Sequence, residues 1–144
     1  MTRGEILALE SGAVLDELVA TKVMGWRWDT DWNCNIPPEQ TAKPWYMWTD
    51  WQLDESGELF RKPIRENYVD GIAYSGDSSR IIMPNWSRDW GAAGRVLEKM
   101  KLAVGPSTVE GLWYSTLLGS KKEGAEAQTP QVAICRAALL AMLD

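Results

Sequence analysis

The chain has 144 residues, 45% of them hydrophobic and 24% charged, with a formal net charge of −5 and nine tryptophans but no histidine. That length and composition suit one soluble domain with its own core. The lack of histidine excludes the usual catalytic triads and every histidine-based metal site, and the acidic balance argues against a long nucleic acid as partner.

In chain order, Thr2 and Glu5 are spaced as a capping box, which predicts a short helical turn through Leu7 to Leu9. Ser11 and Gly12 then punctuate the chain. Leu15, Leu18, Val19 and Val23 recur at helical spacing, with Asp16, Glu17 and Lys22 expected on the wet face. The helix is expected to end near Met24, with Gly25 as its C′ residue. Residues 26–51 are a Trp- and Pro-rich stretch, in which Trp26, Trp28, Trp32, Trp45, Tyr46, Trp48 and Trp51 are broken by Pro37, Pro38 and Pro44. Alternation at Trp26/Trp28 and at Tyr46/Trp48 predicts half-buried strands around a loop. Asp54-Glu55-Ser56-Gly57 reads as a hairpin turn ahead of a strand over residues 58–61. Residues 71–74 and 80–83 flank a polar turn, Ser75 to Ser79, and read as a second hairpin.

Pro84 stops that strand, and Ser87 is expected to cap a helix running to about Lys101, with Asp89 in its first turn. Trp90, Ala93, Val96, Leu97 and Met100 supply its apolar stripe. Gly91 and Gly94 each weaken it by about 1 kcal/mol against alanine and point to a close neighbour. A strand is predicted at 111–118, then a mobile polar loop over 119–128. Thr129-Pro130 is a strong helix start. Residues 132–143 are apolar nearly all round apart from Arg136, which predicts a helix buried under a sheet or at the subunit interface of a homo-oligomer. The order helix, strands, helix, strand, helix predicts an α+β fold. The expected form is a single domain over residues 1–144, its antiparallel β-sheet covered by helices on both faces as an α/β/α sandwich, with the 26–51 stretch as an insertion.

The run from Met83 to Met100, in which Trp86-Ser87-Arg88-Asp89 opens an Ala-rich stretch closing on Val96-Leu97-Glu98-Lys99-Met100, resembles the helix of phage ABA-sandwich proteins. The tail from Thr129 to Ala141 is similar to the closing helix of that family, and Glu5 to Glu10, Leu15 to Val19 and Lys22 to Trp26 resemble its start. The resemblance implies the fold and a phage or prophage origin. It implies no activity, since none is established for the family. The Trp-rich middle departs from the family pattern, so a particular function is expected there. No apolar run approaches the ~20 residues of a membrane span, and the N-terminus lacks the layout of a signal peptide. The expected place is therefore the cytoplasm of the infected bacterial host, with no membrane partner.

Trp86-Ser87-Arg88-Asp89-Trp90 is the first candidate ligand site. It sets two aromatic planes, a hydroxyl and a guanidinium at a helix start, where anions are favoured and aromatic faces stack on bases. Ser78 and Arg80, in the loop after Tyr74, would add hydrogen bonds to a ribose or phosphate. The plainer alternative is that Ser87 merely caps while Trp86 and Trp90 pack into the core. The second candidate, Trp28, Trp45 and Trp48, would line a pocket or form a partner-binding patch. Against it stands a core built on tryptophan, because Phe60 is the single phenylalanine.

Asp50, Asp54, Glu55 and Glu58 match no metal motif and read as a solvated face, so neither metal nor cofactor is expected. Arg61, Lys62 and Arg65 read as a wet surface turn rather than a phosphate contact. Cys135 lies in an apolar run as a buried thiol, and Cys34 lacks a histidine to activate it. No nucleophile–base pair, phosphate loop or metal motif supports an enzyme. The sequence therefore reads as a non-enzymatic phage accessory protein that binds and sequesters a small nucleotide-like ligand, such as a host immune signalling molecule. The alternative is a protein–protein interaction module that inhibits or recruits a host protein through its acidic, Trp-rich surface.

Overall fold

The computed structural model describes residues 1–29, 34–38, 51–61, 67–69, 72–74, 81–121 and 123–143. In chain order the elements are α1 (Arg3–Leu7), α2 (Ala13–Lys22), β1 (Arg27–Asp29), β2 (Cys34–Ile36), β3 (Gln52–Leu53), β4 (Leu59–Arg61) and β5 (Asn67–Val69). Then come β6 (Ile72–Tyr74), β7 (Ile81–Met83), α3 (Trp90–Met100), β8 (Leu102–Pro106), β9 (Trp113–Leu117), β10 (Ala125–Ala127) and α4 (Pro130–Ala141). The protein is thus α+β, with helices and small antiparallel sheets. It gathers into two compact units, one of Met1–Met24 with Pro84–Asp144 and the other of Gly25–Met83.

The first unit is organised by α4. Thr129 caps it by accepting from the Val132 amide at 3.3 Å. Pro130 takes the opening position, where its missing N–H costs nothing. Val132 to Cys135 and Ala137 to Leu140 are all buried. The helix packs on β8, β9 and β10 and against α1, α2 and α3, so its apolar surface is covered within one chain. Burial, with the charge of Asp16 adding to it, pushes the Cys135 thiol far above the ordinary thiol range, as befits a packing residue. The sheet beside α4 runs in the order β10-β9-β8, wholly antiparallel, with Ser115 opposite both Ala125 and Val104. Ser115 is fully buried, and its hydroxyl donates to the Ala103 carbonyl at 2.8 Å. That bond is how a polar side chain is tolerated there.

Two expectations change here. The segment expected as a mobile polar loop contains β10, which pairs with β9. Ala125-Glu126-Ala127 has no β-branched or aromatic residue, so nothing local announces a strand. It becomes one because its two alanines are small enough to bury against the helix layer. The expected close neighbour is absent at Gly94, where an added Cβ would meet nothing within 4 Å among the described residues, whereas one on Gly91 would meet the Asp89 carboxylate at 3.2 Å. Gly94→Ala is therefore expected to stabilise the protein by about 1 kcal/mol through helix propensity, measured as a raised urea midpoint at unchanged slope.

In the second unit β1 and β2 pair antiparallel, β4 lies between β3 and β7, and β5 pairs with β6. The Asp54–Gly57 turn forms as expected. Asp54 Oδ1 accepts from the Ser56 amide (3.0 Å), the Ser56 hydroxyl (2.7 Å) and the Glu58 amide (2.8 Å). Gly57 takes the left-handed φ of 83° that closes the turn, a conformation open to glycine at no steric cost. Among the described residues the second expected hairpin does not form. Residues 72–74 pair with 67–69, and residues 81–83 pair with β4, so the two strands have different neighbours. A polar turn between two apolar runs reveals that the chain bends there, not which strands meet. Arg61 also departs from its expected wet turn: it is 2% exposed, with its guanidinium carbon 5.8 Å from the centre of the Trp51 ring. At that distance the cation is attracted by the ring face. Tyr46, Trp48, Asp50, Lys62 and Arg65 lie outside the described residues.

Candidate functional site

The residues ahead of α3 form a tight turn, in which the amides of Arg88 and Asp89 both donate to the Asn85 carbonyl, at 3.0 and 2.7 Å. This turn sorts the side chains. Trp86 and Ser87 point inward and are 2% and 1% exposed, whereas Trp90 is 52% exposed. The Arg88 side chain keeps 39% of its surface open.

The cap is not the expected one. Asp89 opens α3, its carboxylate accepting from the Ala92 amide at 2.8 Å, which satisfies one of the free donors of the first turn. Ser87 is recruited elsewhere: its hydroxyl accepts from the Gly12 amide at 3.0 Å, and its own amide donates to Asp16 Oδ1 at 2.7 Å. Both residue types make good caps. The deeper one is consumed by a tertiary partner, and the shallower one takes the helix.

Asp16, expected on the wet face of α2, is fully buried. Burial raises its carboxyl above the ordinary carboxylate range, while the two hydrogen bonds from Ser87 and the charge of Arg88 pull the other way. Its Oδ2 has no hydrogen-bond partner among the described residues and lies 3.9 Å from Arg88 Nη2. The same Nη2 donates to Asn85 Oδ1 at 2.9 Å, which holds the guanidinium over the turn. The Arg88 carbonyl accepts from Gln131 Nε2 in the first turn of α4, at 3.2 Å. The starts of α2, α3 and α4 thus meet around Ser87 and Arg88.

Of the sequence-predicted site residues, Arg88 and Trp90 face solvent at this helix start, and Trp86 and Ser87 are its buried support. Trp28, in the other unit, is 59% exposed. Trp45, Trp48, Ser78 and Arg80 lie outside the described residues. Gly12, Asp16, Asn85 and Gln131 were not foreseen. A signal existed for Asp16, because positions 16, 19, 20 and 23 share one helical face, and Val19, Ala20 and Val23 are all buried. The first unit also carries three open clefts, of about 390, 460 and 430 Å³. None of these three is lined by Trp86, Ser87, Arg88 or Trp90. Among the described residues no three or more His, Cys, Asp or Glu side chains gather as a metal site, and no helix is long and apolar enough to cross a membrane.

Among the described residues, four helices, small antiparallel sheets and a shared junction of helix starts define the α+β class that the sequence suggested. The chain belongs to the Phage ABA sandwich domain family, which matches residues 17–139. It is also similar to a phage protein from Bacillus cereus ATCC 14579, known from a 2.0 Å crystal structure. That similarity covers 94% of each chain at 20% identity, with a TM-score of 0.46. No curated protein matches the chain.

Proposed function

We propose that this phage protein is a binding protein without catalysis, which holds a small anionic, ring-bearing molecule of nucleotide type in the cytoplasm of the infected bacterium. By holding it, the protein keeps a host immune signal from its receptor. The observation that carries the reading is an arginine held in place beside an exposed tryptophan at a helix start. Arg88 is tethered by Asn85 and faced by Asp16, yet open to solvent, and Trp90 stands two residues on with half its surface free. An arginine fork suits a phosphate, and an indole face suits a base. Asp89 already occupies the cap, so the anion is held on the arginine side rather than in the helix mouth. None of the three clefts is lined by a tryptophan, and the site in this reading is an open shelf on which Trp90 stacks. In the same reading, the sandwich is completed by a second layer over the sheet row that carries Tyr114 and Thr116, opposite the row that carries Ser115.

The test is a titration with ADP-ribose and with cyclic di- and trinucleotides, followed by tryptophan fluorescence and calorimetry. Binding by the parent is expected, with Arg88→Ala and Trp90→Ala each weakening it about ten-fold or more. A parent that is silent across the panel overturns the reading. The exposure of Trp90 and of Val14, in the first turns of α3 and α2, favours the second reading, a surface that docks a host protein. Capture of a host protein that Trp90→Ala abolishes, with no response to nucleotides, is its result.

A further inference from the structure

Arg136 is the sole charged side chain of α4, and the structure explains its presence only in part. Its Nε donates to the Leu9 carbonyl at 2.7 Å and its Nη1 to the Glu126 carbonyl at 2.8 Å. Two edges of the guanidinium are therefore locked to backbone, and its orientation is fixed. Its Nη2 makes no hydrogen bond among the described residues. Arg136 lines the open cleft of about 390 Å³ together with Glu10, Ser11, Leu112, Thr129 and Val132, a volume within the range of small-molecule sites. Glu10 is near enough for its charge to favour the protonated guanidinium against the burial that opposes it. Glu126 also borders the cleft, with Oε1 accepting from the Ser107 hydroxyl at 3.0 Å.

These groups select a ligand chemistry. Two carboxylates against one guanidinium disfavour an anion, and the fixed guanidinium disfavours a cation. The apolar walls of Leu112, Ala127 and Val132 suit a flat ring. What remains is a neutral heterocycle whose edge sets donors, for Glu10, next to an acceptor, for Arg136. Guanine has that edge, with adjacent N1–H and N2–H₂ donors beside O6, and a carboxylate accepts two bonds from it. Adenine offers a single donor group between acceptors.

We propose that this cleft is a base-recognising site for a guanine-type edge, with Glu10 accepting from the two adjacent donors and Arg136 Nη2 donating to the neighbouring carbonyl oxygen. As the subsite for a second base of a cyclic di- or trinucleotide, one of whose bases stacks on Trp90, it rests on the reading above. Ser11 and Thr129, which line the cleft, are one and two residues from Gly12 and Gln131, the partners of Ser87 and Arg88.

The experiment uses free nucleosides, which bring no phosphate to Arg88. Guanosine and adenosine are titrated into the ¹⁵N-labelled protein and into Glu10→Gln and Ser11→Trp, both at exposed positions ahead of α2. Guanosine is expected to shift the amides of Glu10, Ser11, Thr129 and Val132 and to bind about ten-fold more tightly than adenosine. Glu10→Gln is expected to weaken guanosine about ten-fold, and Ser11→Trp, which fills the mouth of the cleft, to abolish the shifts. An unperturbed cleft, an equal response to both nucleosides, or an unchanged affinity in Glu10→Gln overturns the proposal. Nucleotide binding that depends on Arg88 and Trp90 while guanosine leaves the cleft unperturbed overturns this proposal alone. Guanosine binding in the cleft, without any effect of Arg88→Ala on nucleotides, overturns the earlier reading alone.

Discussion

Asp16→Ala is expected to destabilise the protein by about 2–4 kcal/mol near neutral pH, and Asp16→Asn by less than about 1 kcal/mol. The difference follows from what each leaves behind. Alanine leaves the buried Ser87 amide, now bonded to Oδ1 at 2.7 Å, without an acceptor, and it removes the carboxylate facing Arg88. Asparagine keeps an oxygen for that amide and removes only the charge, which is itself costly to bury. The pH dependence carries an unusual sign. Burial holds the Asp16 carboxyl above its ordinary value despite Ser87 and Arg88, so the folded chain binds this proton more tightly than the unfolded chain does. Its contribution is fully present below the unfolded carboxylate range and is lost as pH rises through the raised folded value. A salt-bridged carboxylate behaves in the opposite way. Urea unfolding across this range should show the parent losing stability relative to Asp16→Asn with rising pH, then levelling off. Equal losses in the alanine and asparagine variants, or a parent–asparagine difference flat in pH, would show that Asp16 is not the buried, proton-holding acceptor of this junction.

The helices were legible because their ends carry local chemistry. Thr2 and Thr129-Pro130 announce helix starts that form where expected, and the apolar run after Pro130 announces a buried helix. The turn at Asp54 was legible for the same reason, since one carboxylate serves three donors within four residues. Partner choice was not. Whether β7 meets β6 or β4, and whether Ala125-Glu126-Ala127 is a loop or a strand, is decided by residues far along the chain. The candidate site was legible to the same depth. Its outward half, Arg88 and Trp90, stood in one motif. Its inward half depends on Gly12, Asp16 and Gln131, which reach Ser87 and Arg88 only once three helix starts come together. Ser87 and Asp89 were both competent caps in sequence, and a tertiary donor settled which one capped.

Gly124→Ala is expected to cost about 2–4 kcal/mol, the opposite sign to the same change at Gly94. Gly124 precedes β10 where that strand meets β9, with Ala125 opposite Ser115. A Cβ there would collide with the Ser115 carbonyl oxygen and come within 2.8 Å of Thr116 Cβ. The obstacle is the backbone of the central strand of its sheet, which cannot rotate away as a flexible side chain would. The edge strand must therefore lift. Lifting it strains the 2.9 Å bond from the Gly124 amide to the Tyr114 hydroxyl and the burial of Ala125 and Ala127 beneath α4. Overpacking of this kind costs about 1–3 kcal/mol when neighbours can shift and more when they cannot. The loss should appear in urea unfolding and, locally, as faster hydrogen exchange at the β10 amides while α3 stays protected. A variant within about 0.5 kcal/mol of the parent, with β10 exchange unchanged, would mean that β10 does not lie against β9 as closely as its register requires.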